Sequence, residues 1–228
     1  MKISGVLYKP LAYLFYTRVK RQRVPYERKI NFRALGIKSK TSIKLSLNPI
    51  DQGFSREFSL YGFREILNSL FVYYIVRKYR PCVIDVGANL GYYVALEVMA
   101  GAEKVIALEP IPLTFSYLRR NVKAYENVIT LNVALADREG EVDMIVPNAF
   151  NLAHVAEGDR GTHHIRVKSV SLSTLVTELG LRDKNVMLRM DVEGYEYVVL
   201  SKNIPGQISL INVGVHPRNY DIKNLPEK

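Results

Sequence analysis

The sequence predicts an α/β protein, a mostly parallel sheet with helices on both faces. Three observations carry that reading. From Pro81 onward, short apolar runs of strand length alternate with amphipathic segments of helical length. Five of those runs carry a polar residue at or beside their ends, namely Asp85, Glu109, Asn132, Asp191 and His216. The first is followed by a turn with two glycines, Asp85-Val-Gly-Ala-Asn-Leu-Gly91. Right-handed crossovers put the C-terminal ends of parallel strands on one edge of a sheet, so the polar residues are expected along one rim.

The elements follow in order. "TSIKLSL" (41–47) alternates and reads as a strand. From Phe63 to Tyr79 the apolar residues Ile66, Leu67, Leu70, Phe71, Tyr74 and Ile75 recur at threes and fours, the spacing of an amphipathic helix, and Pro81 stops it. Strand "CVIDV" ends on Val86, just past Asp85. A helix over 91–100 ends at Gly101. Strand "KVIAL" runs up to Glu109, a helix over 113–125 follows Pro112, and strand "VITLNV" reaches Val133. Segments 142–147 and 163–170 read as a hairpin-like insertion. "SLSTLVTELG" is a short helix between a Ser171 cap and Gly180. Strand "VMLRMDV" spans Asp191, a helix over 193–202 follows, and strand "ISLINVGV" leads to His216.

The chain has 228 residues, 48% hydrophobic and 24% charged, the balance of a globular domain with a full core. No apolar run reaches the length of a membrane span. The one cysteine, Cys82, starts an apolar strand and reads as a small core residue; one cysteine excludes an intrachain disulfide and fits a reducing, cytoplasmic home. The net charge of +10 belongs to residues 1–40, where eleven Lys/Arg face one acid, Glu27. The organisation expected is a basic arm over 1–50, carrying a short helix and a strand, followed by a domain over 51–228. Such an arm suits a polyanion or an acidic membrane surface, and equally a solvated lead-in. Leu11, Leu14, Phe15 and Val19 lie at helical spacing ahead of the basic cluster, so a helix on a membrane surface or on the domain itself is open.

The turn after Asp85 bears on the ligand. Gly87 and Gly91 would let a ligand approach the backbone, and the helix start offers free N–H groups. Eighteen residues beyond Gly91, Glu109 is placed to accept ribose hydroxyls. The third and sixth positions counted from Gly87 are Asn89 and Tyr92, so the dinucleotide pattern fails, and there is no G-K-[ST]. An acid beside the loop disfavours phosphate and favours a cationic or amino-bearing nucleoside such as S-adenosyl-L-methionine.

The blocks "VIDVGANLGYY", "ALEPIPLTFSYLRRN", "LRMDVEGYEYVVL" and "VGVHP" in this order resemble the FkbM family of S-adenosylmethionine-dependent methyltransferases, over roughly Asp51 to Pro217. The resemblance implies a Rossmann-like class I methyltransferase fold and, most often, methylation of a hydroxyl oxygen on a sugar, glycan or other small molecule. It implies that Asp85 and Gly87 line the methionine end of the cofactor, that Asn89 and Gly91 shape the loop, that Glu109 holds the ribose with Pro110 turning the chain beneath the adenine, and that Asn132 and Val133 read the adenine edge. Asp191 and His216 are then candidate bases and Glu193 orients the acceptor. Glu196 reads as structural. The sequence departs from the family at Gly214 and Ser173, where an acid is usual, and twelve residues after His216 leave no room for the usual C-terminal strands. An early end to the sheet, a substituting N-terminal strand, or a partner covering the edge as in a homodimer is expected.

A neutral hydroxyl needs a base as the new bond forms. A divalent metal at Asp191 is a lesser alternative, since hard oxygen ligands are present but no spacing singles them out. His163 and His164, adjacent in a strand, face opposite ways and cannot share a metal. Two competing functions stay open: an RNA-modifying methyltransferase using the basic arm, which would bind with a steep salt dependence, and a non-catalytic protein on a cofactor-binding fold. D-V-E-G would repel phosphate, and no N-P-P-[FYW] follows the fourth strand.

Overall fold

Buried apolar strands, each continued by a helix that covers one sheet face, account for the architecture. A computed structural model describes residues 26–38, 43–51, 53–146, 154–155, 164–192, 195–201 and 204–214. Strands β1 (Tyr26–Lys29) and β2 (Lys44–Leu47) precede helices α1 (Phe54–Tyr61) and α2 (Ile66–Tyr79). Then come β3 (Cys82–Val86), α3 (Tyr92–Ala100), β4 (Lys104–Leu108), α4 (Pro112–Val122) and β5 (Val128–Leu131). Strands β6 (Ala134–Leu135), β7 (Gly140–Ile145), β8 (His154–Val155) and β9 (His164–Val170) follow. Helix α5 (Leu172–Glu178), β10 (Val186–Met190), α6 (Glu196–Leu200) and β11 (Ile208–Val213) complete the described chain.

The central sheet has the order β11-β10-β3-β4-β5, all parallel. Strand order reverses between β3 and β10, the place where open α/β sheets bind ligands. β3 and β10 are buried at every residue. Val83, Val105, Ala107 and Met187 face one core with α2, α3 and α4; Ile84, Val86, Ile106, Leu108, Leu188 and Met190 face the other with α5 and α6. Both faces are thus covered, as the fold class requires. Asp85 and Arg189 are direct cross-strand partners and lie on the α2–α3 face.

Local chemistry sets the element ends. Gly101 takes φ +97 and its N–H closes α3 onto the carbonyls of Glu97 and Val98. Pro112 occupies the first turn of α4. The Ser171 hydroxyl accepts the Thr174 N–H, as expected of a cap. The hairpin-like insertion is present: β7 and β9 pair antiparallel, and β6 and β8 extend the pair into a four-stranded sheet in the order β6-β9-β7-β8. The strand expected to reach Val133 stops at Leu131, because the Asn132 side chain turns to cap backbone carbonyls of the neighbouring loop.

Two observations depart from the sequence reading. Helix α2 buries Ser69, Val72, Tyr73 and Val76, whereas Leu67 is 83% exposed and Ile66, Phe71 and Tyr74 are also exposed. Apolar residues surround this helix on nearly every side, so periodicity could not choose the inward face. Polar contacts chose it: Ser69 Oγ meets Tyr92 Oη at 2.9 Å, and Asn68 Nδ2 donates to Tyr93 Oη at 2.8 Å. In addition, β1 and β2 form a two-stranded sheet apart from the central one, and no N-terminal strand among the described residues joins the latter. Ile30, Phe32, Leu35, Ile37, Ile43, Leu45 and Leu47 nevertheless enter the same core as Tyr92 and Leu118. No described helix is long and apolar enough to cross a membrane.

Candidate functional site

The C-terminal ends of β3 and β10, the turn before α2 and the start of α3 surround a hollow. Phe54, Arg64, Glu65, Asn89, Tyr93 and Asp191 are among its walls, with Arg189 at its base. Arg189 is 3% exposed, in a strand buried on both faces, so its charge must be matched there. Nη1 donates to Asp85 Oδ1 at 2.7 Å, Nη2 lies 3.4 Å from Asp191 Oδ2, and the guanidinium stacks 3.6 Å from the Tyr93 ring centre. Burial works against the arginine's charge, but the Asp85 and Asp191 carboxylates hold it above its ordinary range. Burial raises Asp85, and Arg189 counters part of that rise. Glu97, wholly buried on α3 without a hydrogen-bond partner among the described residues, is pushed well up by burial and then by Asp85, with Arg189 opposing.

The second strand-end acid is satisfied differently. Glu109 is 5% exposed; its Oε2 accepts the Asn89 N–H at 3.0 Å and its Oε1 the Ile111 N–H at 2.9 Å. Burial pushes its carboxyl up to about 7, with the two amides opposing and Asp85 adding a little. The carboxylate stitches the β3–α3 loop to the β4–α4 loop. Each oxygen keeps a second lone pair for a hydroxyl donor.

The glycines also do work within the chain. At Gly87 (φ +76) an added Cβ would collide with the Asp191 carbonyl, and at Gly91 (φ +90) it would press on Leu118 and Val122 at 3.0 Å each. Both positions serve a left-handed backbone and close packing within the chain, and Gly87 also lines the hollow. Asn89, also left-handed at φ +52, turns its Oδ1 onto the Leu90 N–H at 2.8 Å. The Asn132 amide donates to the carbonyls of Glu109 and Pro110 at 2.8 and 2.9 Å, which places Asn132 and Val133 beside the end of β4. Glu196 is buried and accepts the Val192 N–H at 3.0 Å, a structural contact.

The structure therefore brings Gly87, Asn89 and Asp191 around one hollow, keeps Asp85 buried behind Arg189, and sets Glu109, Pro110 and Asn132 along the adjoining rim. Glu193, His163 and His216 lie outside the described residues; His164 is exposed on β9. No group of three or more His, Cys, Asp or Glu among the described residues could hold a metal ion.

Arg64, Glu65, Tyr93 and Arg189 escaped the sequence reading. Arg189 left a trace in the sequence, an arginine inside the apolar run "VMLRMDV", which in a buried strand calls for an acid on its neighbour. The others left none, because their place depends on how α2 docks.

The family model for the methyltransferase FkbM domain matches residues 85–228. No curated protein matches the chain. Among solved structures the chain is similar to methyltransferase FkbM from Methylobacillus flagellatus KT, at 15% identity and a TM-score of 0.36, over 64% of this chain and 37% of that one. It is also similar to Thermoplasma acidophilum 1320, at 13% identity and a TM-score of 0.25, over 46% of this chain and 88% of that one. The chain thus spans well under half of the Methylobacillus protein.

Proposed function

The chain belongs to the FkbM methyltransferase domain family, and on that premise we propose that it transfers the methyl group of S-adenosyl-L-methionine to a hydroxyl oxygen of a sugar, glycan or other small molecule. The observation that supports this most is the charge at the strand-order reversal. Carboxylates of Glu65 and Asp191 line the hollow beside the guanidiniums of Arg64 and Arg189, Asp85 lies buried behind Arg189, and Glu109 stands at the next strand end. That donor set fits a nucleoside bearing an ammonium and a sulfonium and disfavours a polyphosphate. When bound, the cofactor supplies an electrophilic methyl carbon.

The chain's own residues would do the rest. Glu109 would take ribose hydroxyls on its remaining lone pairs, and Asn132 would hold the rim that borders the adenine. Asp191, with a side chain 27% exposed at the edge of the hollow, would take the acceptor's proton or orient it. His216 and Glu193 remain the companion residues for that task.

Calorimetry with S-adenosyl-L-methionine, followed by transfer of a labelled methyl group to components of a cell extract and mass analysis of the products, tests the reading. A donor that gives no binding heat and no labelled product would sink it. Labelled nucleic acid would redirect it to the RNA-modifying alternative.

A further inference from the structure

Helix α2 turns an apolar stripe away from its own core. Ser69, Val72, Tyr73 and Val76 face inward, while Leu67, Phe71 and Tyr74, at steps of four and three, stand 83%, 49% and 57% exposed on the opposite side. Lys78 continues that line one turn further on, and Ile66 and Tyr79 add exposed apolar surface at the two ends of the helix. At about half exposure, large side chains of this kind each offer on the order of 100 Å², so the face reaches the several hundred Å² at which an exposed apolar patch marks a contact site.

The charges along the helix say what covers this face. Arg77 and Lys78 occupy the last turn of α2 and Arg80 follows, all exposed. Glu65 stands at the other end with Glu57 of α1 nearby, the two joined through Arg64 at 3.4 and 3.2 Å. The face thus has a basic end and an end where carboxylates outnumber the guanidinium. An acidic membrane calls for bases along the whole face, whereas a second copy laid antiparallel sets each basic end against the other's carboxylates. A two-fold interface has to be self-complementary in this way. Helix α2 spans Ile66–Tyr79, so its midpoint lies between Val72 and Tyr73. An antiparallel two-fold at that point brings Phe71 beside the partner's Tyr74 and lays Leu67 on the aliphatic stem of the partner's Lys78. The same helix overlies the sheet edge: Asn212 of β11, a strand paired on one side only among the described residues, donates to Asn68 at 3.1 Å.

We propose that the outer face of α2 is the interface of a homodimer, in which two copies of the helix pack antiparallel about a two-fold axis through its middle with Leu67, Phe71 and Tyr74 as the apolar contact. The charged ends select the antiparallel orientation and add little to its strength.

Sedimentation of the full chain is the test. At tens of micromolar, wild type is expected to run at twice the 26.0 kDa of one chain. Leu67→Asp combined with Phe71→Asp is expected to weaken the dimer at least about thirtyfold, with an unchanged circular-dichroism spectrum showing that the variant is folded. The register is read separately by cross-linking Leu67→Cys combined with Lys78→Cys. Those positions lie about 16 Å apart along one helix, so a bis-maleimide shorter than that span joins them only between copies. The double cysteine variant is expected to give a covalent dimer and either single variant far less, Cys82 being buried. A wild type that stays at the mass of one chain, a dimer that survives the double aspartate, or efficient cross-linking by Leu67→Cys alone overturns the proposal. Flotation of a monomeric wild type with phosphatidylglycerol vesicles, lost in the double aspartate variant, likewise overturns it and assigns the face to an acidic membrane.

Discussion

Asp85 and Glu109 end neighbouring parallel strands, and both carboxyls are buried, yet the protein satisfies them in opposite ways. Asp85 faces a charged side chain of the adjoining strand, while Glu109 collects two backbone N–H groups from the loops beside it. The first arrangement exchanges one buried charge for a pair and commits Asp85 to the interior. The second holds an acid by dipoles and leaves the carboxyl able to titrate near neutrality. A strand-end acid in the sequence is therefore not one kind of object; its partner decides whether it is held by an ion pair or by backbone dipoles.

The largest way to break this contrast is to remove Asp85. Asp85→Asn leaves the Arg189 guanidinium buried with Asp191 at 3.4 Å as its one described carboxylate partner, and is expected to destabilise the fold by about 3–5 kcal/mol. Asp85→Leu combined with Arg189→Met should recover most of that loss, since both charges then leave the core. Urea unfolding at constant m reads both, and additive losses in the double variant would refute the pairing.

Gly87→Ala comes next. Its Cβ would meet the Asp191 carbonyl on a backbone at φ +76, so a cost of about 1–3 kcal/mol for strain and displacement of Asp191 is expected. Donor affinity should fall with it. A variant with unchanged melting and unchanged affinity would show that β3 and β10 do not approach as closely as described.

The Glu109 side of the comparison is sharpened by pH. Its folded-state carboxyl titrates near about 7, above the ordinary value of 4.5. The folded state then binds the proton more tightly than the unfolded chain, so stability from this group falls as pH rises between those two values. The loss reaches about 3 kcal/mol. Glu109→Gln cannot titrate, and the difference between wild type and variant should grow in favour of the variant across that window. A flat difference would place the carboxyl at its ordinary value.

The smallest effect belongs to Glu97. It is buried without a described hydrogen-bond partner and burial pushes its carboxyl well up, so Glu97→Gln, which keeps the shape of the protonated acid, should change stability by less than about 1 kcal/mol. A loss of several kcal/mol would mean that the carboxyl is ionised beside Arg189.

Much of the frame was legible because period and punctuation are local. β3, β4 and β10 are mostly apolar runs with defined ends, and Gly101, Pro112 and Ser171 mark helix ends by their own backbone chemistry. The reversal point and the rim of polar strand ends followed from topology. The candidate site was legible only on its β3 and β4 side. Glu65, Tyr93 and Arg64 lie on or beside helices whose sequence does not say which way they turn.

Taken alone, the sequence determined the parallel sheet with covered faces, the edge on which chemistry would gather, and the family, since each depends on patterns within a few residues of one another. Tertiary structure alone decided which face of α2 turns inward, that Arg189 rather than a ligand answers Asp85, and that Gly87 makes room for the Asp191 carbonyl. Those outcomes depend on register and docking between segments about a hundred residues apart, where the free energy of a buried charge or a close backbone approach exists only once both partners are in place.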